Sequence, residues 1–270
     1  MFGVTLVRNK AAFLVEWLDF HFDQGFDFFF IYNHNASDVE TQRVLVPYLQ
    51  SKKVTLIDAV ATFPVECNHS QRHSQHWYNV CQASVFLQAL DILRIFHSSD
   101  ANTWLAVFDI DEFIFGQKKC AREVLQAMPP SVDFVTVHAR VFGASNYTNN
   151  SQFVSVLHSH LHRASLAFHD HWKSILRVSS PFVKYPSVHD PGCVVFMCSS
   201  ITMPSHNSML NMNHYQYVSL EELQRKCIDN HNTFYSNIGK NQALQDAYNS
   251  IYDDSILHAT PCTTRRLSTA

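Results

Sequence analysis

Trp104-Leu105-Ala106-Val107-Phe108-Asp109-Ile110-Asp111-Glu112-Phe113 is the most informative stretch of this 270-residue chain. The apolar run from Thr103 to Phe108 reads as a buried strand. It delivers Asp-x-Asp at its carboxyl end, and in open α/β sheets ligands bind in the crevice outside those strand ends. Within a strand alternate side chains share a side, so Asp109 and Asp111 are expected to face together. Two carboxylates converging in this way repel unless a positive charge lies between them, and a divalent cation is the usual one. The plain alternative is a group of solvated strand-end acids. Three acids within four positions of a chain with only 16% charged residues speak against it.

The preceding residues supply neighbours for that strand. Phe2 to Val7 reads as a buried strand. Ala11 to Gln24 reads as a helix with Leu14, Trp17, Leu18 and His21 on one face, and Gly25 stands where a helix-ending glycine belongs. Phe26 to Tyr32 is a continuous aromatic and β-branched run, hence a central strand. Asn33 to Asp38 has turn chemistry and ends on a helix N-cap. Val39 to Leu49 is a second helix and Val54 to Ile57 a third strand. This β-α-β-α-β order is the pattern of a parallel sheet with crossover helices.

A long helix is expected from Gln75 to His97. Beyond the acidic motif come a helix from Arg122 to Met128, stopped by Pro129 and Pro130, and a strand from Phe134 to His138. Short strands and loops follow between His158 and Pro204. Ser219 and Glu222 form a capping box for a helix reaching Asn230, and another helix is expected from Asn241 to Ile251. No linker divides the chain, so residues 1–258 are expected to form one domain and 259–270 a loose tail.

Composition narrows the function classes. With 46% hydrophobic residues the chain is too apolar for a disordered protein, and a formal net charge of -3 leaves no electrostatic footprint for nucleic acid or an anionic membrane. The longest apolar run, Phe26 to Tyr32, is interrupted by Asp27 and is too short to span a membrane. No signal peptide is legible at the start. The seven cysteines form no CxxC pair; Cys193 and Cys198 could pair across a turn, and buried free thiols are expected for most. Sequons at Asn35, Asn68, Asn146 and Asn149 are little more than the two or three, roughly, that so much Ser and Asn gives by chance. His158, His160 and His162 alternate and would share one side of a strand, as a zinc site could require, though solvated loop histidines are the commoner case. His69, His73 and His76 read as loop and helix-face residues.

Several segments carry a family resemblance. Val7-Arg8-Asn9-Lys10, Leu14-Val15-Glu16-Trp17-Leu18, His21, Gly25 and Phe30-Ile31-Tyr32-Asn33 with Asn35, Ser37 and Asp38 resemble the opening of glycosyltransferase family 92. Family 2 enzymes share much of it. The pattern continues through Gln75, Tyr78-Asn79 and Cys81, Trp104 to Phe113, and Phe142-Gly143 with Ser145. Lys173-Ser174-Ile175, Val188-His189, and Asn213-His214-Tyr215 with Ser219 to Glu222 complete it, so it covers roughly residues 2 to 226. The family usually has Glu where this chain has Lys10, and Phe153 to His171 matches poorly. A haloacid dehalogenase-type phosphatase also ends its nucleophile strand in Asp-x-Asp. That class wants Thr or Val where Phe113 stands, and a later Gly-Asp-x-x-x-Asp that is absent here.

The resemblance implies an α/β GT-A (Rossmann-like) fold with a mostly parallel central sheet. It implies an inverting, metal-dependent glycosyltransferase with a UDP-sugar donor, a glycan hydroxyl as acceptor and Mn²⁺ as the divalent metal; known family activities include galactosyl transfer. Arg8, Asn9, Asn33, Asn35, Asp38 and Asp109 are the candidate donor-binding residues, Arg8 suited to a phosphate and the Asn and Asp side chains to base and ribose. For Asn33 and Asp38 the structural alternative is turn formation and helix capping; for His21 it is a satisfied core histidine. Asp111 is expected to bind the metal directly, with Asp109 nearer the ribose or reaching the ion through water, and with His214, or alternatively His189, as a further ligand. Asp170, with Asp190 as the alternative, is the candidate general base. The rival from another class is a non-catalytic sugar- or nucleotide-binding protein of the same fold. The compartment follows from what surrounds the domain: Golgi membrane or lumen for a fragment of an anchored enzyme, cytoplasm otherwise.

Overall fold

The structure is a computed structural model that describes residues 1–35, 37–67, 75–152, 154–165, 171–184, 198–204, 208–224 and 241–262. The chain opens with β1 (Phe2–Val7), α1 (Ala11–Asp23), β2 (Phe28–Asn33), α2 (Val39–Gln50) and β3 (Val54–Asp58), in the expected order. β1 pairs in parallel with β2 and with β4 (Trp104–Val107), and β2 pairs in parallel with β3. Four strands therefore end at one edge of a mixed α/β sheet in which the run β4-β1-β2-β3 is wholly parallel. β8 (Trp172–Arg177) runs antiparallel between β4 and β6 (Phe134–Phe142). β5 (Glu112–Gly116) pairs with β10 (Leu210–Tyr215), which lies in parallel beside β6.

Period-two alternation between two cores explains the layers. Val4, Leu6, Phe30, Tyr32, Leu105 and Val107 share a core with Val85, Phe86, Ala89 and Leu90 of the long helix α4 (Gln75–His97), which follows a short α3 (Ala59–Thr62). The alternate residues Phe29, Ile31, Ala106 and Phe108 pack with Leu14, Trp17 and Leu18 of α1 on the opposite face. A side chain such as Leu18 or Phe29, fully buried here, contributes about 1.5–3 kcal/mol, so both helices are fixed mainly by these stripes. α1 ends in a Schellman motif: Gly25 N–H donates to Phe22 O and Phe26 N–H to His21 O, both at 3.0 Å, with Gly25 at φ 90°. That left-handed turn sends the chain straight into β2.

Several expectations need correction. β4 stops at Val107, so Asp109 and Asp111 lie in the turn before β5 rather than in a strand. The three alternating histidines do not share a strand. His158 is in α6 (Val156–Ser159), His162 is in β7 (His162–Arg163), and His160 is buried between them with its ring nitrogens 3.2 Å from Val156 O and 2.7 Å from Val218 O. The described cysteines are not free thiols. Cys67 pairs with Cys81 and Cys120 with Cys262, and Cys198 is also disulfide-bonded. Cys193, Cys227, His69 and His73 lie outside the described residues. The tail is not loose at its start: Cys262 is tied to Cys120 ahead of α5 (Ala121–Gln126), and Thr260 Oγ1 donates to Gln117 O at 2.6 Å.

Candidate active site

The turn after β4 is built by reciprocal hydrogen bonds. Glu112 N–H donates to Asp109 O at 3.1 Å, and Asp109 N–H donates to the Glu112 carboxylate at 2.8 Å. Trp17 Nε1 donates to Glu112 O at 2.8 Å, so the buried face of α1 braces the same turn from below. Tyr215 N–H donates to Asp111 O at 2.8 Å, fixing the other side to β10. His21 extends the brace. It lies 2.7 Å from Trp17 O through Nδ1 and accepts the Ile114 N–H at Nε2 at 3.1 Å, which makes it the satisfied core histidine. Burial holds its pKa down at about 3, so the ring is neutral.

The turn sends its two aspartates to different partners. Asp109 accepts from Lys173 Nζ at 2.6 Å and from Gln82 Nε2 of α4 at 3.0 Å. Asp111 instead has its Oδ1 3.6 Å from His214 Nε2. The positive charge that converging acids require is supplied here by a lysine. Lys173 is only 1% exposed and also lies 3.2 Å from the Glu112 carboxylate. Burial alone would lower its pKa, but Asp109 and Glu112 outweigh that and hold it above the usual lysine value. Burial pushes the Glu112 carboxyl up, Lys173 pulls against that, and the Asp109 and Asp111 charges push it further up.

Lys173, Glu112 and Gln82 were not among the residues assigned to the site from sequence. One signal was legible: Lys173 stands in a short strand beside Trp172 and ahead of Ile175 and Leu176, where a buried lysine needs an acid to be tolerated.

The turns after β1 and β2 lie along the same edge. Val7 is in register with Asn33, and His34 N–H donates to Val7 O at 2.8 Å. Asn35 Nδ2 donates to Asn9 Oδ1 at 2.8 Å, joining the two turns. Asn33 Oδ1 accepts the Asn35 N–H at 3.0 Å, an Asx turn. Asp38 caps α2 by accepting from Thr41 N–H at 3.1 Å and from Thr41 Oγ1 at 2.5 Å. Arg8 and Asn9 are exposed at this edge. Lys10 is ion-paired with Glu222, whose N–H donates to Ser219 Oγ at 3.0 Å, one half of the expected capping box. Asp170, Asp190 and His189 lie outside the described residues.

Among the described residues no three His, Cys, Asp or Glu side chains form a closed metal cage. Asp111 and His214 nevertheless converge as one oxygen and one imidazole donor, and 22% of the Asp111 side chain is open to solvent. That set fits a divalent ion whose remaining ligands come from water and a bound diphosphate. Asp109 fits it less well, because both of its oxygens already accept hydrogen bonds.

The sequence pattern of glycosyltransferase family 92 matches residues 4–250. A glycosyltransferase family 92 protein of Ricinus communis is 27% identical over 164 residues. That match covers 56% of this chain and 25% of the relative, so the chain spans about a quarter of the relative's length. Among solved structures, HddC from Yersinia pseudotuberculosis superposes with a TM-score of 0.40 at 9% identity, over 84% of this chain and 98% of that one.

Proposed function

The chain belongs to glycosyltransferase family 92, and from that premise we propose that it transfers a sugar from a UDP-sugar to an acceptor hydroxyl of a glycan, with inversion and with Mn²⁺. Galactose is the sugar favoured by the family resemblance. The observation that carries the proposal is the edge where β1, β2 and β4 end together, with two polar turns on one side and the Asp109–Glu112 turn on the other.

Asp111 and His214 would hold the metal, which when bound neutralises charge developing on the departing diphosphate. Lys173 holds Asp109 in place from beneath, leaving that carboxylate's outer face for the donor. Arg8 and Asn9 would meet the nucleotide, and the Asn33–Asn35 turn would shape that side of the crevice. Proton removal from the acceptor is assigned to Asp170, with Asp190 as the alternative; this assignment rests on the sequence alone.

The test is a panel of nucleotide sugars with and without Mn²⁺, read as thermal stabilisation. A ligand at a hundredfold excess over its dissociation constant contributes about 2.7 kcal/mol, a clear melting shift. The expected result is a metal-dependent shift with UDP-sugars and sugar transfer from the same donor. A shift with GDP-sugars alone would reject the donor assignment. Binding without transfer to any acceptor or to water would favour the non-catalytic reading.

A further inference from the structure

We infer that this domain is built for an oxidising, glycosylating lumen and carries an N-linked glycan on Asn146. Two independent features point there. The first is the cysteine chemistry. Each of the five described cysteines is disulfide-bonded. Cys67, Cys81 and Cys120 are fully buried, so the Cys67–Cys81 bond lies within the core, and the Cys120–Cys262 bond has one end there and one half-buried. Disulfides of this kind form and persist in secretory compartments and are rare where thiol reductants are abundant.

The second feature is the accessibility of the sequons. Asn146-Tyr147-Thr148 occupies a turn after β6 in which Ser145 and Asn146 both have positive φ, 46° and 68°. Asn146 and Thr148 are exposed, while the backbone around them is anchored: Tyr147 N–H donates to Ala144 O at 2.8 Å, and Tyr147 O and Thr148 O accept from Leu220 and Glu221. A rigid, outward turn can bear a bulky glycan without loss of packing. The other described sequons are less open. The Asn35 amide is tied to Asn9 and Ser37, and Asn149 Oδ1 accepts from Ser151 Oγ at 2.6 Å. Asn68 lies outside the described residues.

The modification is a group transfer from a polyprenyl-diphosphate-linked oligosaccharide. A bond forms between Asn146 Nδ2 and the sugar's anomeric carbon. The bond from that carbon to the diphosphate oxygen breaks, the polyprenyl diphosphate leaves, and the amide gives up one proton.

The experiment is peptide mapping of the full natural protein made in a eukaryotic secretory host, with and without enzymatic deglycosylation. Free thiols are alkylated in denaturant before any reduction. The Asn146 peptide is expected to appear only after deglycosylation, with Asn146 converted to Asp, and Cys67, Cys81, Cys120, Cys198 and Cys262 are expected to escape alkylation. Asn146→Gln should remove the mass of one glycan. Thr148→Ala should do the same while leaving Asn146 in its turn, which covers the case in which the first variant folds poorly. Recovery of the Asn146 peptide unmodified from folded protein, or alkylation of Cys67 and Cys81 in the unfolded but unreduced protein, would overturn the inference.

Discussion

The two halves of the ligand edge are held by different physics. The turns after β1 and β2 are closed by neutral amides that bond one another, Asn9 with Asn35 and Asn33 with Asn35, and by a helix cap at Asp38. These are local bonds near solvent, individually worth about 0.5–1.5 kcal/mol. The Asp109–Glu112 turn is held by a buried cation from a strand far along the chain, by Gln82 from α4 and by the α1 brace at Trp17. An edge made this way has one adaptable wall and one rigid wall. The rigid wall carries the charge, where a misplaced carboxylate is costly; the adaptable wall has only to follow the outline of a bound molecule.

The largest effect should come from the rigid wall's acid that faces His214. Asp111→Asn is expected to cut transfer by roughly 10³-fold or more and to abolish metal-dependent donor binding, while the melting temperature without ligand stays near wild type; unchanged metal dependence would remove Asp111 from the site. Next is the cation. Lys173→Met leaves Asp109 and Glu112 without their buried partner, and such broken pairs cost about 3–5 kcal/mol. Denaturant titration should show this loss, and adding Glu112→Gln should restore part of it. Additive losses in the double variant would show that the two groups are not coupled.

Acid should loosen the same wall through His21. Its pKa is about 3 in the fold against an ordinary 6.5. Below pH 6.5 the unfolded chain takes up a proton that the folded chain refuses. Stability contributed by the neutral ring is therefore complete above pH 6.5 and falls by up to about 1.4 kcal/mol per pH unit towards pH 3. Replacing His21 with Gln should flatten that slope, and an unchanged pH profile would mean that the ring is protonated in the fold.

The adaptable wall should respond less. Asp38→Ala removes a helix cap and is expected to cost about 1 kcal/mol. Asn35→Ala should stay within about 0.5 kcal/mol in stability, its effect appearing instead in donor affinity. A stability loss from Asn35→Ala as large as that from Lys173→Met would abolish the contrast between the two walls.

What the sequence disclosed follows from the range of each interaction. β1 to β3 were legible as short apolar runs and α1 as an apolar stripe, and Gly25 and Asp38 carry local end signals. The acidic motif was legible as a strand-end cluster, but its shape was not. Whether Asp109 and Asp111 face together depends on β5 leaving to pair with β10, about a hundred residues later, and a two-residue period cannot show that. Lys173 answers Asp109 across 64 positions, so no window of sequence contains both. The histidine trio follows the same rule: its alternation would place the rings together only inside a strand, and α6 interrupts it. The cysteines gave spacings, and it is the fold that brings Cys120 to Cys262.

That last bond turns residues 120 to 262 into a closed covalent ring with a sequence separation of 142. Closure of a loop this long limits the freedom of the unfolded chain by an amount equivalent to about 5 kcal/mol. Lys173 and His214 lie inside the ring, as do Asp170, Asp190 and His189, while Asp109 and Asp111 lie on the open thread that enters it. A single peptide cut anywhere in the ring therefore frees nothing. On a non-reducing gel the nicked protein migrates near the mass of the intact chain, and only reductant releases the fragment. A domain closed this way can be clipped in a protease-rich setting and still keep both parts of its candidate site on one molecule.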